Sequence, residues 1–315
     1  MWFHPRHVAL LLALVGVTLA CTPKAQQPTE PAGPKLSAEQ QKALDDYRQE
    51  IEVGRNMAGR LLGYYGIIED EKVLGYVNQV GNYVASYSDA PERRYMFAIL
   101  KHESVNAFAC PGGYILITMG ALRNAKNEAE LASILGHEVA HVGKRHMYDA
   151  LKKMKEKELE DAAKSKTVGG PMQDALVPRA RPEPDTSSTG SRLAEYLTGK
   201  GGIGLNVLAA AQAGMNLMTG KGLDKSVEFE ADQEGVRYAI RAGYEPKALL
   251  TYLKRLEDQS DKKVKNLEKT HPAMADRRKH IAELLKTMKA EDIIGASGEE
   301  RFTKVKKAFP KFERE

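Results

Sequence analysis

The sequence predicts a mainly helical α+β domain, and three observations support this fold class. Apolar residues recur at helical spacing through most of the chain, as in the series Val73, Val77, Val80 and Val84. Short apolar runs bounded by turn residues cluster only within residues 95–119. The 315 residues, 42% of them hydrophobic and 28% charged, provide enough chain for one large folded domain.

The N-terminus has the pattern of an export signal. Arg6 precedes an apolar run from Val8 to Ala20, which is too short to span a bilayer comfortably, so residues 1–20 are predicted to be a signal peptide. The segment Thr18-Leu19-Ala20-Cys21 resembles a bacterial lipoprotein box, although Thr18 stands where Leu is usual. Cys21 is therefore the predicted lipidation site, and ordinary cleavage after Ala20 is the alternative.

The residues after Cys21 indicate where the chain resides. Thr22, rather than Asp, follows the pattern of lipoproteins sorted to the outer membrane, which predicts a lipid-anchored protein of the periplasm. Residues 21–36 contain four prolines among small polar residues and form a predicted tether.

The first predicted elements are two helices and three strands. Ser37 and Gln40 form a capping box that begins a helix extending to about Leu62, and the valine series marks the next helix. The predicted strands are Tyr95–Leu100, Val105–Ala109 and Tyr114–Met119, with a turn at Pro111-Gly112-Gly113.

The remainder of the domain is predicted to be helical with one interruption. A helix starts after its N-cap Asn127, and a mobile insertion is expected at residues 167–192, which are rich in Pro, Gly and Ser. Ile203–Met218 is predicted to be a packed or interfacial helix, with a membrane span as the alternative. Ser226–Ala242 is predicted to be another helix, followed by two more. The domain is expected to cover residues 37–290, with a C-terminal tail at 291–315.

The helix after Asn127 contains the motif His137-Glu138-Val139-Ala140-His141, which is H-E-x-x-H. Spacing of four places both imidazoles on one helical face, where they can share a zinc ion, and Glu138 can accept a proton from a water held by it. The alternative is a surface helix that carries two histidines by chance. The apolar residues around the motif disfavour this alternative.

A catalytic zinc site needs a third protein ligand, and the sequence Glu228-Phe229-Glu230-Ala231-Asp232 offers one. Glu228 and Asp232 share a helical face, so that one can bind the metal and the other can orient a ligating histidine. Acidic pairs at this spacing are also common on solvated faces, and Glu230 and Glu234 are expected to be solvated here.

Together these motifs resemble the gluzincin zinc metallopeptidases of the HtpX and CAAX-prenyl-protease family. The segments Asn106–Ala109 and Pro111–Ile115, and Thr270-His271-Pro272 with Arg277, resemble further elements of that family in the same order. The resemblance implies a zincin-like fold whose small sheet has an edge strand lining the active-site cleft. Because no apolar span follows the signal, the chain resembles the soluble periplasmic branch.

The resemblance also implies roles for individual residues. His137, His141 and Glu228 would bind one Zn²⁺ per chain, Glu138 would be the general base, and Asp232 would orient a ligating histidine. His271 would stand near the metal, either stabilising the oxyanion or acting as a fourth ligand that keeps the enzyme latent. Arg277 is expected to brace the fold or the His271 loop.

An edge strand can bind an extended polypeptide through its unpaired backbone groups. The predicted substrate-binding residues are therefore those of this strand and its turn, and a purely structural hairpin is the alternative. They are Asn106, Ala107, Phe108, Ala109, Gly112 and Gly113.

The other cysteine and histidines have weaker interpretations. Cys110 is either a small buried residue or a thiol near the metal that makes activity sensitive to oxidation. His102, His146 and His280 match no motif and are interpreted as surface or packing histidines. The net charge of +5 is spread along the chain, and no nucleic-acid surface is predicted.

The predicted function is a zinc-dependent endopeptidase of the bacterial cell envelope that acts on misfolded or stalled envelope proteins. Its partners would be extended or unfolded polypeptides and, through the lipid anchor, a membrane. One alternative is a latent zinc-binding chaperone or assembly factor for outer-membrane proteins. A second is a structural lipoprotein without metal.

Overall fold

A computed structural model describes residues 36–164, 206–259, 267–268, 270–289 and 294–311. The predicted signal peptide, Cys21, nearly all of the predicted tether and the predicted insertion at 167–192 lie outside the described residues. Contacts divide the chain after Gln41, and the compact unit Lys42–Glu315 contains the elements that form the site.

Helices and a small sheet make up the described residues. The helices of the N-terminal half are α1 (Ala38–Tyr65), α2 (Glu71–Ala85), α3 (Met119–Asn124), α4 (Glu128–Gly143) and α5 (His146–Lys164). The later helices are α6 (Val207–Asn216), α7 (Lys225–Arg241), α8 (Ala248–Glu257), α9 (Met274–Thr287) and α10 (Glu299–Lys306). The strands are β1 (Met96–Leu100), β2 (Ala107–Cys110) and β3 (Tyr114–Thr118).

Helices α1 and α4 begin at the capping residues that the sequence predicts. The capping box is confirmed, because the backbone N–H of Gln40 donates to Ser37 Oγ at 3.1 Å and that of Ser37 donates to Gln40 Oε1 at 2.9 Å. Asn127 caps α4 by accepting a hydrogen bond from the backbone N–H of Glu130 at 2.9 Å. The helix that carries the H-E-x-x-H motif therefore starts at a defined residue.

The three strands form one mixed sheet in the order β1-β3-β2. β1 runs parallel to β3, with Phe97 opposite Ile115, and β2 runs antiparallel to β3, with Phe108 opposite Leu116. A 3₁₀ turn at Pro111–Gly113 connects the antiparallel pair. In this order β2 lies at an edge of the sheet, as the resemblance implied.

Helices cover both faces of the sheet. Alternate residues such as Ile115 and Ile117 pack into a cluster with α2, α4 and α7–α9, and the intervening residues such as Leu116 and Phe108 pack with α1, α5 and α6. The sheet is thus buried between two helical layers. The prediction of a mainly helical α+β fold is confirmed.

The helices after residue 243 differ from the prediction of two. Three are present in the described part of the chain, and the last, α10, packs against α2 and α4. Its Phe302 is fully buried, and Arg301 donates to Glu128 Oε1 at 2.6 Å. The packed region therefore extends past the predicted boundary at residue 290, because one apolar anchor and one ion pair hold a short polar helix.

The small-residue helix α6 is a packed helix, which is one of the forms predicted for Ile203–Met218. Ala210 and Ala211 are buried against the cluster formed with α1 and α5. Among the described residues, no helix combines the length and the apolar character that crossing a bilayer requires.

Candidate metal centre

Helix α4 carries the H-E-x-x-H motif through the interior of the domain. Leu131, Leu135 and Val139 are fully buried along it and fix its orientation against the sheet. One helical turn separates His137 from His141, and their ring centroids lie 4.7 Å apart. Both imidazoles are buried, so the chance surface pair considered from the sequence is not what the structure contains.

Glu228 of α7 completes a triangle of donor atoms with the two histidines. The Nε2 atoms of His137 and His141 lie 3.1 Å apart. Glu228 Oε2 lies 3.6 Å from His137 Nε2, and its Oε1 lies 3.6 Å from His141 Nε2. Ligand atoms of a tetrahedral zinc site are about 3.3 Å apart, given zinc–nitrogen distances of about 2.0–2.1 Å. These three side chains are therefore spaced to share one zinc ion.

His271 supplies a fourth donor group, the third nitrogen, at the same place. Its Nε2 lies 3.5 Å from Glu228 Oε2, and donor atoms of His137, Glu228 and His271 all lie within 4.8 Å of one another. Its Nδ1 lies 3.0 Å from Thr270 Oγ1, which orients the ring. The structure thus places His271 beside the other donors, and the choice between fourth ligand and oxyanion stabiliser stays a prediction.

The unsatisfied polar atoms of the donor set also fit a divalent cation. Glu228 Oε2 is buried and has no hydrogen-bond donor among the described residues. The Nε2 atoms of His137 and His141 face each other, and there is room for at most one hydrogen between them. When both rings are neutral, at least one of these nitrogens therefore presents a lone pair to the site. Buried polar groups are normally satisfied, and a cation would give these lone pairs a common partner.

Electrostatics favour the ligating forms of most of these groups. Burial opposes ionisation of Glu228, but the neighbouring imidazoles hold its pKa well below the usual range. Burial lowers the pKa of His271 to about 4 and that of His141 well below its usual value, so both rings are neutral near pH 7. Burial also lowers the pKa of His137, but the hydrogen bond to Asp232 outweighs this effect and raises the pKa to about 9.

Asp232, one turn after Glu228 on α7, connects His137 to Arg277. Its fully buried carboxylate lies 2.9 Å from His137 Nδ1 and accepts hydrogen bonds from Arg277 Nε at 2.9 Å and Nη2 at 2.6 Å. The carboxylate keeps the proton of His137 on Nδ1 and leaves Nε2 free for a metal. Arg277 reaches Asp232 in the structure, which places it as a brace.

Two glycines allow α4 and α7 to approach closely enough for this geometry. A Cβ atom on Gly136 would lie 2.8 Å from the carbonyl oxygen of Gly235, and one on Gly235 would lie 2.5 Å from the backbone nitrogen of His137. Only glycine fits at such a contact. The crossing brings the acidic face of α7 against the histidine face of α4.

Glu138 lies beside the donor atoms and lines a cleft whose wall includes Asn106, Ala107 and His271. Burial raises the pKa of its carboxyl group to about 7, against the opposing charge of His137. A carboxylate with this pKa is suited to accept a proton near neutral pH.

The beginning of β2 and the residue before it border the cleft. Asn106 and Ala107 line it, whereas Phe108 packs against Tyr65 on the other side of the sheet, with ring centroids 6.1 Å apart. Among the described strands β2 pairs only with β3, through Ala107–Cys110. Asn106 accepts a hydrogen bond from the backbone N–H of Thr118, and pairing alternates from there along the strand, so the backbone groups that point away from β3 are those of Ala107 and Ala109. The backbone of Phe108 points towards β3 instead.

The turn after β2 has a structural requirement for its two glycines. Gly112 and Gly113 have φ values of 74° and 102°, and Cβ atoms there would lie 2.6 Å from Ile51 Cα and 1.9 Å from the Arg94 carbonyl oxygen. The N–H of Gly112 donates to the buried Glu50 at 3.2 Å. Their predicted role in substrate binding is untested by these contacts.

Cys110 is fully buried in the cluster between the sheet and α1. Burial, with a smaller contribution from the charge of Glu138, raises the pKa of the thiol far above its usual value. A protonated and inaccessible thiol reacts slowly. The structure favours the interpretation as a small buried residue over the oxidation-sensitive one.

His146 and Glu230 belong to the surroundings of the site, a position that the sequence analysis assigned to neither. Glu230 is exposed, as expected, over 46% of its side chain. His146 is buried, and its Nδ1 lies 2.9 Å from Nδ1 of His141, while Glu230 Oε2 lies 3.4 Å from its Nε2. Of the two interpretations of His146, as a surface or a packing histidine, its burial favours the second, and its contact with His141 is additional to both. The only available signal was its position five residues after His141.

The fold and the arrangement of His137, Glu138, His141 and Glu228 define a metallopeptidase-like site, and the chain belongs to peptidase family M48, which matches residues 71–285. This confirms at the family level the resemblance inferred from the motifs. The matched region contains every proposed metal ligand.

Individual relatives are similar over parts of their length. The chain is 28% identical over 214 residues to the beta-barrel assembly-enhancing protease of Escherichia coli (strain K12), covering 67% of this chain and 38% of that protein. It is 28% identical over 229 residues to the protein of the same name from Yersinia pestis, covering 73% and 40%. It is 30% identical over 111 residues to the mitochondrial metalloendopeptidase OMA1 of Schizosaccharomyces pombe, covering 35% and 31%.

The chain thus spans about two fifths of the length of the assembly-enhancing proteases that it matches.

Proposed function

We propose that this chain is a zinc-dependent endopeptidase of the bacterial cell envelope. The observation that carries the proposal is the set of donor atoms from His137, His141 and Glu228, with spacings of 3.1–3.6 Å, beside the carboxyl group of Glu138. One Zn²⁺ per chain would bind there. When bound, zinc supplies Lewis-acid activation of water and of the substrate carbonyl group.

The residues of the chain perform the remaining steps. An extended polypeptide adds along the outer edge of the segment Asn106–Ala109, through the backbone groups of Ala107 and Ala109, and places a peptide bond in the cleft. Glu138 accepts the proton of the attacking water and transfers it to the amine of the leaving fragment, as its pKa near 7 allows. Asp232, itself held by Arg277, keeps His137 in the ligating tautomer.

The substrates proposed are misfolded or stalled envelope proteins, because recognition through backbone hydrogen bonds is independent of side-chain sequence. The name of two bacterial relatives, beta-barrel assembly-enhancing protease, supports a role at the outer membrane. The proposed location is the periplasm, with a lipid anchor at Cys21.

Glu138→Gln tests the proposal. The variant is expected to bind zinc as the wild type does, since Glu138 is not among the proposed donors, and to lose at least about 100-fold of its casein-hydrolysing activity. Zinc content and casein cleavage are measured on the same preparations of the full chain. A variant that binds zinc and cleaves casein at the wild-type rate would contradict the proposed mechanism.

A latent zinc-binding chaperone or assembly factor is the second candidate function. The observation that favours it is His271 Nε2, 3.5 Å from Glu228 Oε2, where it can act as a fourth ligand and exclude water. His271→Ala separates the two. Faster casein cleavage than the wild type supports latency, whereas slower cleavage supports a direct part for His271 in catalysis.

A further inference from the structure

The proposed ligand His141 contacts a second histidine through the nitrogen that faces away from the metal site. His146, the first residue of α5, is 8% exposed, and its Nδ1 lies 2.9 Å from Nδ1 of His141. The two rings are nearly perpendicular, at 79°, with centroids 5.0 Å apart. This is the geometry of an in-plane hydrogen bond rather than of ring stacking.

The positions of the nitrogens determine where the protons lie. Nε2 of His141 faces His137 and Glu228, so a neutral ring that binds metal through Nε2 carries its proton on Nδ1. That N–H donates to Nδ1 of His146, which therefore carries its own proton on Nε2. Nε2 of His146 lies 3.4 Å from Glu230 Oε2, which can accept it.

The backbone between the two histidines is bent to bring them together. Arg145 lies between the end of α4 and the start of α5 with φ of 58°, a left-handed conformation that is unfavourable for a residue with a side chain. Its guanidinium group is held by Asp46 at 2.6 Å and Glu50 at 2.9 Å. These ion pairs stabilise the turn that folds His146 back onto His141.

We infer that His146 is a positioning residue of the metal centre, which orients His141 through a hydrogen-bonded series from His141 to His146 to Glu230. The inference rests on the proposed function, because it requires that His141 bind zinc. The two histidine ligands are then oriented differently. His137 donates directly to the buried carboxylate of Asp232, whereas His141 donates to a neutral ring whose outer acceptor is partly exposed.

Two substitutions of His146 test the inference through zinc affinity, measured by competition with a chromophoric chelator. His146→Leu removes the acceptor and is expected to weaken zinc binding by about 10–100-fold, the range found for partners of ligating histidines. His146→Asn places an amide oxygen near the position of Nδ1 and is expected to retain most of the affinity. The visible absorption of the cobalt-substituted protein should change in the Leu variant and remain close to the wild type in the Asn variant.

His280→Leu is the matched control, because His280 is exposed and stacks on Phe229 without contacting a proposed ligand. It should bind zinc as the wild type does. Glu230→Ala tests the outer end of the series, where 46% of the Glu230 side chain is exposed and folding is not at risk. Loss of one outer acceptor is expected to weaken zinc binding by about threefold.

The outcomes separate this inference from the proposed function. A wild-type chain that binds no zinc overturns both. A wild-type chain that binds one zinc, with His146→Leu at the same affinity or His146→Asn as weak as His146→Leu, overturns the positioning role alone. If His146→Leu does not fold, unchanged affinity in Glu230→Ala overturns the inference and a loss supports it.

Discussion

At the scale of single residues, Asp232 holds the metal centre together. It is fully buried and joins His137 to Arg277, which is itself only 4% exposed. Each charge of a buried ion pair offsets the desolvation cost of the other. When one partner is removed, the remaining charge stays buried without an opposite charge nearby. The cost of losing one partner therefore exceeds what the intact pair contributes.

Arg277→Met tests this dependence. The substitution keeps an unbranched apolar side chain but leaves the carboxylate of Asp232 with His137 as its one remaining side-chain partner in the described residues. We expect the free energy of unfolding to fall by about 3 kcal/mol. Urea denaturation in the presence of a chelator measures it, so that differences in zinc binding do not contribute.

The neighbouring residue provides a matched control. Arg278 forms an ion pair with Glu257, and both side chains are about one third exposed. Arg278→Met should therefore cost less than about 1 kcal/mol. An Arg277→Met variant no less stable than Arg278→Met would show that the buried pair is not needed to compensate Asp232.

The residues of the site differ in how far the sequence could predict them. His137, His141, Glu228 and Asp232 lie at i, i+4 spacings within two helices, so helical geometry alone places each pair on one face. His146 escaped prediction because its position depends on the left-handed turn at Arg145. That conformation is held by ion pairs to a distant helix, which local sequence does not encode.

At the scale of elements, the crossing of α4 and α7 determines the separation of the donor atoms. Gly136 and Gly235 face each other at the crossing, where any side chain would overlap with backbone. His137 follows Gly136 directly, so a displacement at the crossing is transmitted to the first proposed ligand. Packed interiors accommodate an added methyl group poorly.

Gly235→Ala is expected to force the two helices apart. A Cβ atom there lies 2.5 Å from the backbone nitrogen of His137, and overpacking of this kind costs about 2 kcal/mol. We expect that loss in urea denaturation together with weaker zinc binding, because Glu228 moves with α7.

Gly75→Ala in α2 gives the opposite expectation for the same chemical change. Gly75 is exposed in the helix interior, and a Cβ atom there would meet nothing within 4 Å. Alanine should raise the free energy of unfolding by about 0.5–1 kcal/mol through its higher helix propensity. If Gly235→Ala also raised the free energy of unfolding, helix propensity rather than the crossing would dominate at Gly235.

The elements themselves were predictable where their signals are local. The valine spacing of α2, the cap at Asn127 and the three apolar runs placed helices and strands within a few residues of those observed. The parallel pairing of β1 with β3 was not predicted, because pairing partners are distant in sequence. Helix α10 was missed because one buried aromatic residue, Phe302, and an ion pair decide its packing.

At the scale of the whole molecule, the proposed zinc ligands connect separate parts of the compact unit. His137 and His141 belong to α4, Glu228 to α7, and His271 precedes α9. A cation bound to all of them would hold these elements together only in the folded state, since the unfolded chain lacks the arrangement. Binding to the folded state alone raises stability in proportion to the logarithm of ligand concentration.

Zinc is therefore expected to raise the midpoint of thermal unfolding. At a free concentration 100 times the dissociation constant, it adds about 2.7 kcal/mol, which corresponds to roughly 5–10 °C for a domain of this size. Calorimetry with buffered zinc and with a chelator measures the difference. His141→Ala, which lacks a donor, should lose most of this shift, whereas Glu138→Gln should keep it, because that carboxyl group is not among the donors. A shift that survives in His141→Ala would mean that zinc stabilises the fold from some place other than the centre between α4 and α7.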